Sequence, residues 1–141
     1  SIRRQRQMCI RDRYQGDGKL VQIPIAEFCR QKPDNSILTA VHIQKTGRKI
    51  VYQSFRNTET DFPVLTAAVS VKDGKYCAAV GARPMRAREV YADNIPELIE
   101  QAKELPYQNN IRASAEYRRM LSGVLIQRAA DELERIRTNG N

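Results

Sequence analysis

The chain has 141 residues, near the usual size of one domain, and its 41% hydrophobic and 28% charged residues exclude a wholly disordered polypeptide. No apolar run approaches the ~20 residues of a membrane span, and the opening SIRRQRQMCIRDR has no apolar stretch behind its charges, so a cytoplasmic location is expected. The net charge of +8 raises nucleic acid as a partner, but half of that excess lies in residues 1–14, where Arg3, Arg4, Arg6, Arg11 and Arg13 stand against Asp12 alone.

Within that stretch MCIRDR, residues 8–13, resembles a peptide translated from sequencing-adapter DNA left in an assembled read. Residues 1–14 are therefore set apart as a basic leader of doubtful origin, with a native leader as the other reading. After a turn signal at Gly16-Asp17-Gly18, KLVQIPI predicts a short strand, which Pro24 confines to an edge or a strand end. KPDNS at 32–36 is a further turn. ILTAVHIQ, residues 37–44, follows as a strand with Leu38, Ala40, His42 and Gln44 on one face and Ile37, Thr39, Val41 and Ile43 on the other, the second face expected to be buried.

RKIVYQSF (48–55) and VLTAAVSV (64–71) predict two more strands, and Asp73-Gly74 is a two-residue hairpin signal leading into KYCAAVGARP. The small residues Ala67, Ala68, Ala78 and Ala79 predict close packing over this sheet. Helices supply the cover. Asn94 caps IPELIEQAKEL, with Pro96 in its first turn and Pro106 at its end, and a long helix runs from about Ser114 to Arg137. Its expected buried face is Tyr117, Met120, Leu121, Val124, Leu125, Ala129, Leu133 and Ile136. Strands first and helices afterwards predict an α+β fold: a small antiparallel sheet of three to four strands covered by a C-terminal helical layer.

Chemistry is sparse. The single histidine, His42, permits no Ser/His/Asp or Cys/His pairing beyond one imidazole, and it is read as a structural or surface residue. Cys9, Cys29 and Cys77 have no metal-ligand spacing and are read as buried free thiols. Asp61 and Glu116 are the acids to watch, with solvated or capping roles expected. VGARPMRAREV, residues 80–90, lacks the paired glycines of a phosphate loop; it is read as a strand leaving the sheet with solvated arginines, and otherwise as a weak anion site. Tyr52, Phe55, Phe62, Tyr76 and Tyr117 fall where core packing would use them, which argues against base stacking.

Three stretches in order, NSILTAVHI (35–43), YQSFRNTETDFPVLTAAVSV (52–71) and IRASAEYRRMLSGVLIQRA (111–129), resemble the C-terminal domain of the flavoprotein subunit of molybdenum hydroxylases. That family includes xanthine dehydrogenase and carbon monoxide dehydrogenase. The resemblance covers about residues 16–137. It implies that residues 15–47 arrive from an FAD-binding domain missing from this chain, whose glycine-rich loops are not found here, and that residues 48–138 are the flavoprotein C-terminal domain. It implies flavin contacts at Leu38, after NSI, and at Arg56, after YQSF, where the family often has lysine. It also places Tyr117 as a packing anchor, with Arg118 and Arg119 toward solvent or a neighbouring subunit.

The implied activity is that of an oxidoreductase complex. A molybdenum-cofactor subunit hydroxylates a heterocycle or aldehyde, 2Fe-2S clusters in another subunit relay electrons, and FAD passes them to an acceptor such as NAD. The chain by itself is expected to have no catalytic residue. The competing readings are a stand-alone basic module binding nucleic acid and a protein-interaction domain with no cofactor. One clear helix between residues 87 and 108, where the family has room for two, is a departure from its pattern.

Overall fold

The computed structural model describes residues 9–15 as backbone, and residues 18–43 and 47–139 in full. It consists of two compact units divided between Gly47 and Arg48. The first is a three-stranded antiparallel sheet of β1 (Cys9–Gln15), β2 (Lys19–Pro24) and β3 (Ile37–Ile43) in the order β2-β1-β3. Residues 1–8 of the expected leader lie outside the described residues, as do Gly16 and Asp17 of the turn signal; residues 9–14 belong to the central strand, with Arg11 opposite Ile23 on one side and Val41 on the other. Pro24 closes β2 on the sheet edge, where a residue without an N–H costs no ladder bond. A single helical turn, α1 (Ile25–Phe28), follows and lies against β1 and β2.

The expectation of one buried face on β3 is corrected: Ile37, Leu38, Val41 and Ile43 are all exposed. Alternation in a strand reports that it has two faces, but only a covering layer makes one of them a core, and α1 covers β1 and β2 instead.

The second unit is a four-stranded antiparallel meander of β4 (Ile50–Phe55), β5 (Leu65–Lys72), β6 (Lys75–Gly81) and β7 (Arg88–Ala92), in chain order across the sheet. Two helices, α2 (Ile95–Lys103) and α3 (Ala115–Thr138), form the other layer, α2 over β6 and β7 and α3 over β4 and β5. This is the expected α+β two-layer arrangement. Asp73 (φ 51°) and Gly74 (φ 76°) both take the left-handed conformation a type I′ hairpin requires, which is why that dipeptide sets the β5/β6 register. Asn94 Oδ1 accepts from Glu97 N (2.9 Å) and Ser114 Oγ from Tyr117 N (3.1 Å), each satisfying an otherwise orphaned donor at a helix start.

Leu65, Ala67, Val69, Ala78 and Val80 line the sheet's helical side against Leu98, Leu125, Ile126, Ala129 and Leu133. Alanines at 67 and 78 let the helices approach. Ala68 and Ala79, one residue on, lie on the opposite face of the sheet and are half-buried.

The buried face of α3 is rotated from the expected one. Tyr117, Met120, Val124 and Ile136 are exposed, whereas Arg118, Ser122, Gly123, Ile126 and Ala130 are buried alongside the expected Leu121, Leu125, Ala129 and Leu133. The reason is α2. A Cβ at Gly123 would stand 3.1 Å from Ile99 Cγ2 and 3.3 Å from Lys103 Cε, so α3 must give this flank to the neighbouring helix as well as its base to the sheet. Of the other aromatics expected in the core, Tyr52 and Phe62 are exposed, and Phe55 and Tyr76 are half-buried. Cys77 is buried as expected, but Cys29 is exposed; the Cys9 side chain lies outside the described residues. Among the described residues no helix is long and apolar enough to cross a membrane.

Candidate functional site

Arg56 is the first residue after β4, at the head of a loop, 56–63, that returns to the sheet at Val64. Val64 N donates to Phe55 O (2.8 Å) and closes the loop at its base. Its tip is held from the far end of the chain. Arg112 grips the Asp61 carboxylate in a forked arrangement, Nε at 3.0 and 3.1 Å from its two oxygens and Nη2 at 2.8 Å from Oδ1. The Arg112 guanidinium lies over the Phe62 ring, 5.3 Å from its centroid, and Asn57 Nδ2 donates to Arg112 O (3.4 Å).

The Asp61 carboxyl is thereby held below its ordinary value, first by the hydrogen bond from Arg112 and then by the Phe62 N–H, 2.7 Å from Oδ1. The solvated or capping role expected of Asp61 is thus corrected to that of an ion-pair partner. Glu116 remains an exposed residue of the first turn of α3. Arg56 itself is exposed and donates from Nη1 to the backbone carbonyl of Asp61 (3.2 Å), not to its carboxylate.

Behind this loop sits Arg118, which the resemblance placed toward solvent or a neighbouring subunit. It is fully buried. Nε donates to Val64 O (2.9 Å), Nη1 to Gln108 O (2.6 Å) and Ala113 O (2.7 Å), and Nη2 to Asn110 Oδ1 (2.5 Å). A guanidinium can be buried without a carboxylate when carbonyl oxygens converge on its five N–H bonds, and here they come from Val64, just before β5, and from the segment 108–113. Tyr117, expected as the packing anchor, instead meets Phe55 edge-on at 6.3 Å near the surface.

Arg83 repeats the pattern in the loop between β6 and β7. It is buried and donates to Pro106 O and to Arg86 O (2.7 Å), while Tyr107 packs against it at 5.9 Å and against Arg119 at 6.0 Å. Of the three arginines in residues 80–90, Arg86 and Arg88 are exposed, but Arg83 is turned inward and unavailable to an anion.

Leu38 is the second residue of β3, 42% exposed, and borders a hollow of about 260 Å³ shared with Phe28, Pro33 and Ser36. It belongs to the first unit and Arg56 to the second. His42 is exposed on the same strand. Among the described residues no group of three or more His, Cys, Asp or Glu gathers to hold a metal ion.

What sequence reasoning missed is the pair Arg112 and Arg118. Arg118 left one signal: it stands three residues before Leu121 and seven before Leu125, on the buried stripe. Asp61 and Arg112 are 51 residues apart and left none.

No protein-family model matches the chain, and no curated protein matches it in sequence. Solved structures do match its fold. Quinoline 2-oxidoreductase from Pseudomonas putida 86 superposes with a TM-score of 0.76 at 17% identity over 90% of this chain and 52% of its own. Carbon monoxide dehydrogenase from Hydrogenophaga pseudoflava, in a form lacking the Mo-pyranopterin moiety of the molybdenum cofactor, gives 0.72 at 12% identity over 89% and 52%. Reconstituted CO dehydrogenase from Oligotropha carboxidovorans gives 0.65 at 18% identity over 90% and 53%. At these identities the likeness is one of fold, and the chain spans about half the length of the chains it matches.

Proposed function

We propose that this chain is the C-terminal domain of the FAD-binding subunit of a molybdenum hydroxylase, with residues 15–47 arriving from the FAD-binding domain and residues 48–138 forming the flavoprotein C-terminal domain. The observation that carries the reading is a fold shared over nine-tenths of the chain with quinoline 2-oxidoreductase and carbon monoxide dehydrogenase chains, in a sequence whose three family-like stretches occur in order. Its partners are then the molybdenum-cofactor and 2Fe-2S subunits.

FAD, when bound, supplies the electron transfer from the iron-sulfur clusters to an acceptor such as NAD; the protein groups hold and shield it. The two residues fit that use by type. Among the described residues Arg56 makes one hydrogen bond, to Asp61 O, which leaves most of its guanidinium for a flavin anion, and Leu38 offers an exposed apolar contact. Arginine in place of lysine keeps the cation and adds a planar fork suited to phosphate.

Titration of the purified chain with FAD, followed by flavin fluorescence, tests the reading. Weak saturable binding that Arg56→Ala and Leu38→Ala each reduce is expected. Tight stoichiometric binding would show that the main flavin site is on this chain after all, and indifference to Arg56→Ala would remove the proposed contact.

A further inference from the structure

We infer that Asp61 and Arg112 are positioning residues for Arg56, an inference that rests on the reading of Arg56 as a flavin-facing cation. An exposed arginine on a loop is ordinarily a poor ligand, because it must surrender its conformational freedom on binding. This loop is pinned. Arg112 holds Asp61 by its forked contact, lies over Phe62 and accepts a hydrogen bond from Asn57 through its own carbonyl. Arg112 is in turn set by Asn110, whose Oδ1 accepts from Arg112 N (2.9 Å) and from the buried Arg118. A continuous line of contacts therefore runs from the core to the base of Arg56.

The second effect is electrostatic. Arg112 occupies the Asp61 carboxylate, while Arg56 is bonded to the carbonyl of the same residue. With Arg112 paired to Asp61, the two arginines and one acid keep a net positive charge at Arg56, and Asp61 stands near enough to act on Arg56 as well. Removing Arg112 should both loosen the loop and release that acid toward Arg56. A merely structural role predicts only the first.

The test uses the full chain, with FAD titrations and amide hydrogen exchange over residues 57–63. Arg56→Ala is expected to weaken FAD binding by about 10-fold, the worth of one charge-assisted contact. Arg112→Ala should weaken it by a similar factor and speed exchange in the loop. Adding Arg112→Ala to Arg56→Ala should cost nothing more, since the two act through one group. The pair Asp61→Ala with Arg112→Ala should bind several-fold better than Arg112→Ala alone, because the competing carboxylate is gone. Arg112→Lys, the variant to use should the alanine form not fold, keeps the charge but not the fork and should fall between.

If Arg56→Ala weakens binding but Arg112→Ala does not, or if their effects add in full, the flavin reading stands and the positioning role is overturned. If Arg56→Ala has no effect, or the wild-type chain shows no saturable FAD binding, the flavin reading fails and takes this inference with it. Altered loop exchange alone would not rescue it.

Discussion

Replacing Arg118 by methionine keeps a flexible apolar stem in the core and deletes the guanidinium, so it isolates the worth of the four hydrogen bonds. The four acceptors are not equal. Val64 O faces the interior beside a fully buried residue, and leaving it unpaired should cost ~2 kcal/mol. Gln108 O, Ala113 O and Asn110 Oδ1 lie nearer the surface, where water can replace part of each lost bond, at about 0.5–1 kcal/mol apiece. Relief of the buried cation's desolvation offsets some of this, giving a net loss of roughly 3–4 kcal/mol. For a unit of this size that corresponds to a fall of about 15–25 °C in Tm.

Near-UV circular dichroism is the suitable assay, because five of the six tyrosines lie at positions 52, 76, 91, 107 and 117, within the second unit. Arg119→Met is the control: that neighbour is exposed, with one bond from Nε to Lys103 O (3.1 Å), and should cost under ~1 kcal/mol. Equal melting of the two variants would refute the view that convergent carbonyls make Arg118 an anchor.

The contact between α2 and α3 predicts that Gly123→Leu loses about 2–3 kcal/mol in denaturant unfolding, because any Cβ there already crowds Ile99; unchanged stability would mean the helices do not meet at this point. Asn94→Ala should cost ~1 kcal/mol and speed amide exchange at Glu97, whereas Asn94→Asp, which keeps the cap, should not. The Asp61 carboxyl, depressed by Arg112 from an ordinary 3.8, contributes stability that is fully present above that value and is lost as pH falls through the lower folded value. The difference in Tm between wild type and Asp61→Asn should therefore hold steady from neutral pH to about pH 5 and close below 3.8; a difference that persists undiminished at pH 2 would contradict the pairing.

Taken alone, the sequence determined the elements that local backbone chemistry controls. Asp73-Gly74 could be read as a hairpin because two positive φ angles suit few other dipeptides, and Asn94 and Ser114 could be read as helix starts because their side chains satisfy donors three residues ahead. From those elements in that order came the α+β layers of the second unit. What the tertiary structure decided was burial. Apolar character put Tyr117 and Met120 inside, and the family resemblance put Arg118 toward solvent or a neighbouring subunit; the first was reversed once α2 claimed a flank of α3, and the second once the carbonyls of Val64, Gln108 and Ala113 converged on the guanidinium. On β3 the alternating pattern marked a core face that no described element of its unit covers.

The surroundings of Arg56 were equally out of reach, since Asp61 and Arg112 meet only through the fold. Turns and caps are set by interactions over a few residues, whereas burial of a charge depends on whether distant segments bring enough acceptors to one point. Nothing in the identity of a single residue records that convergence.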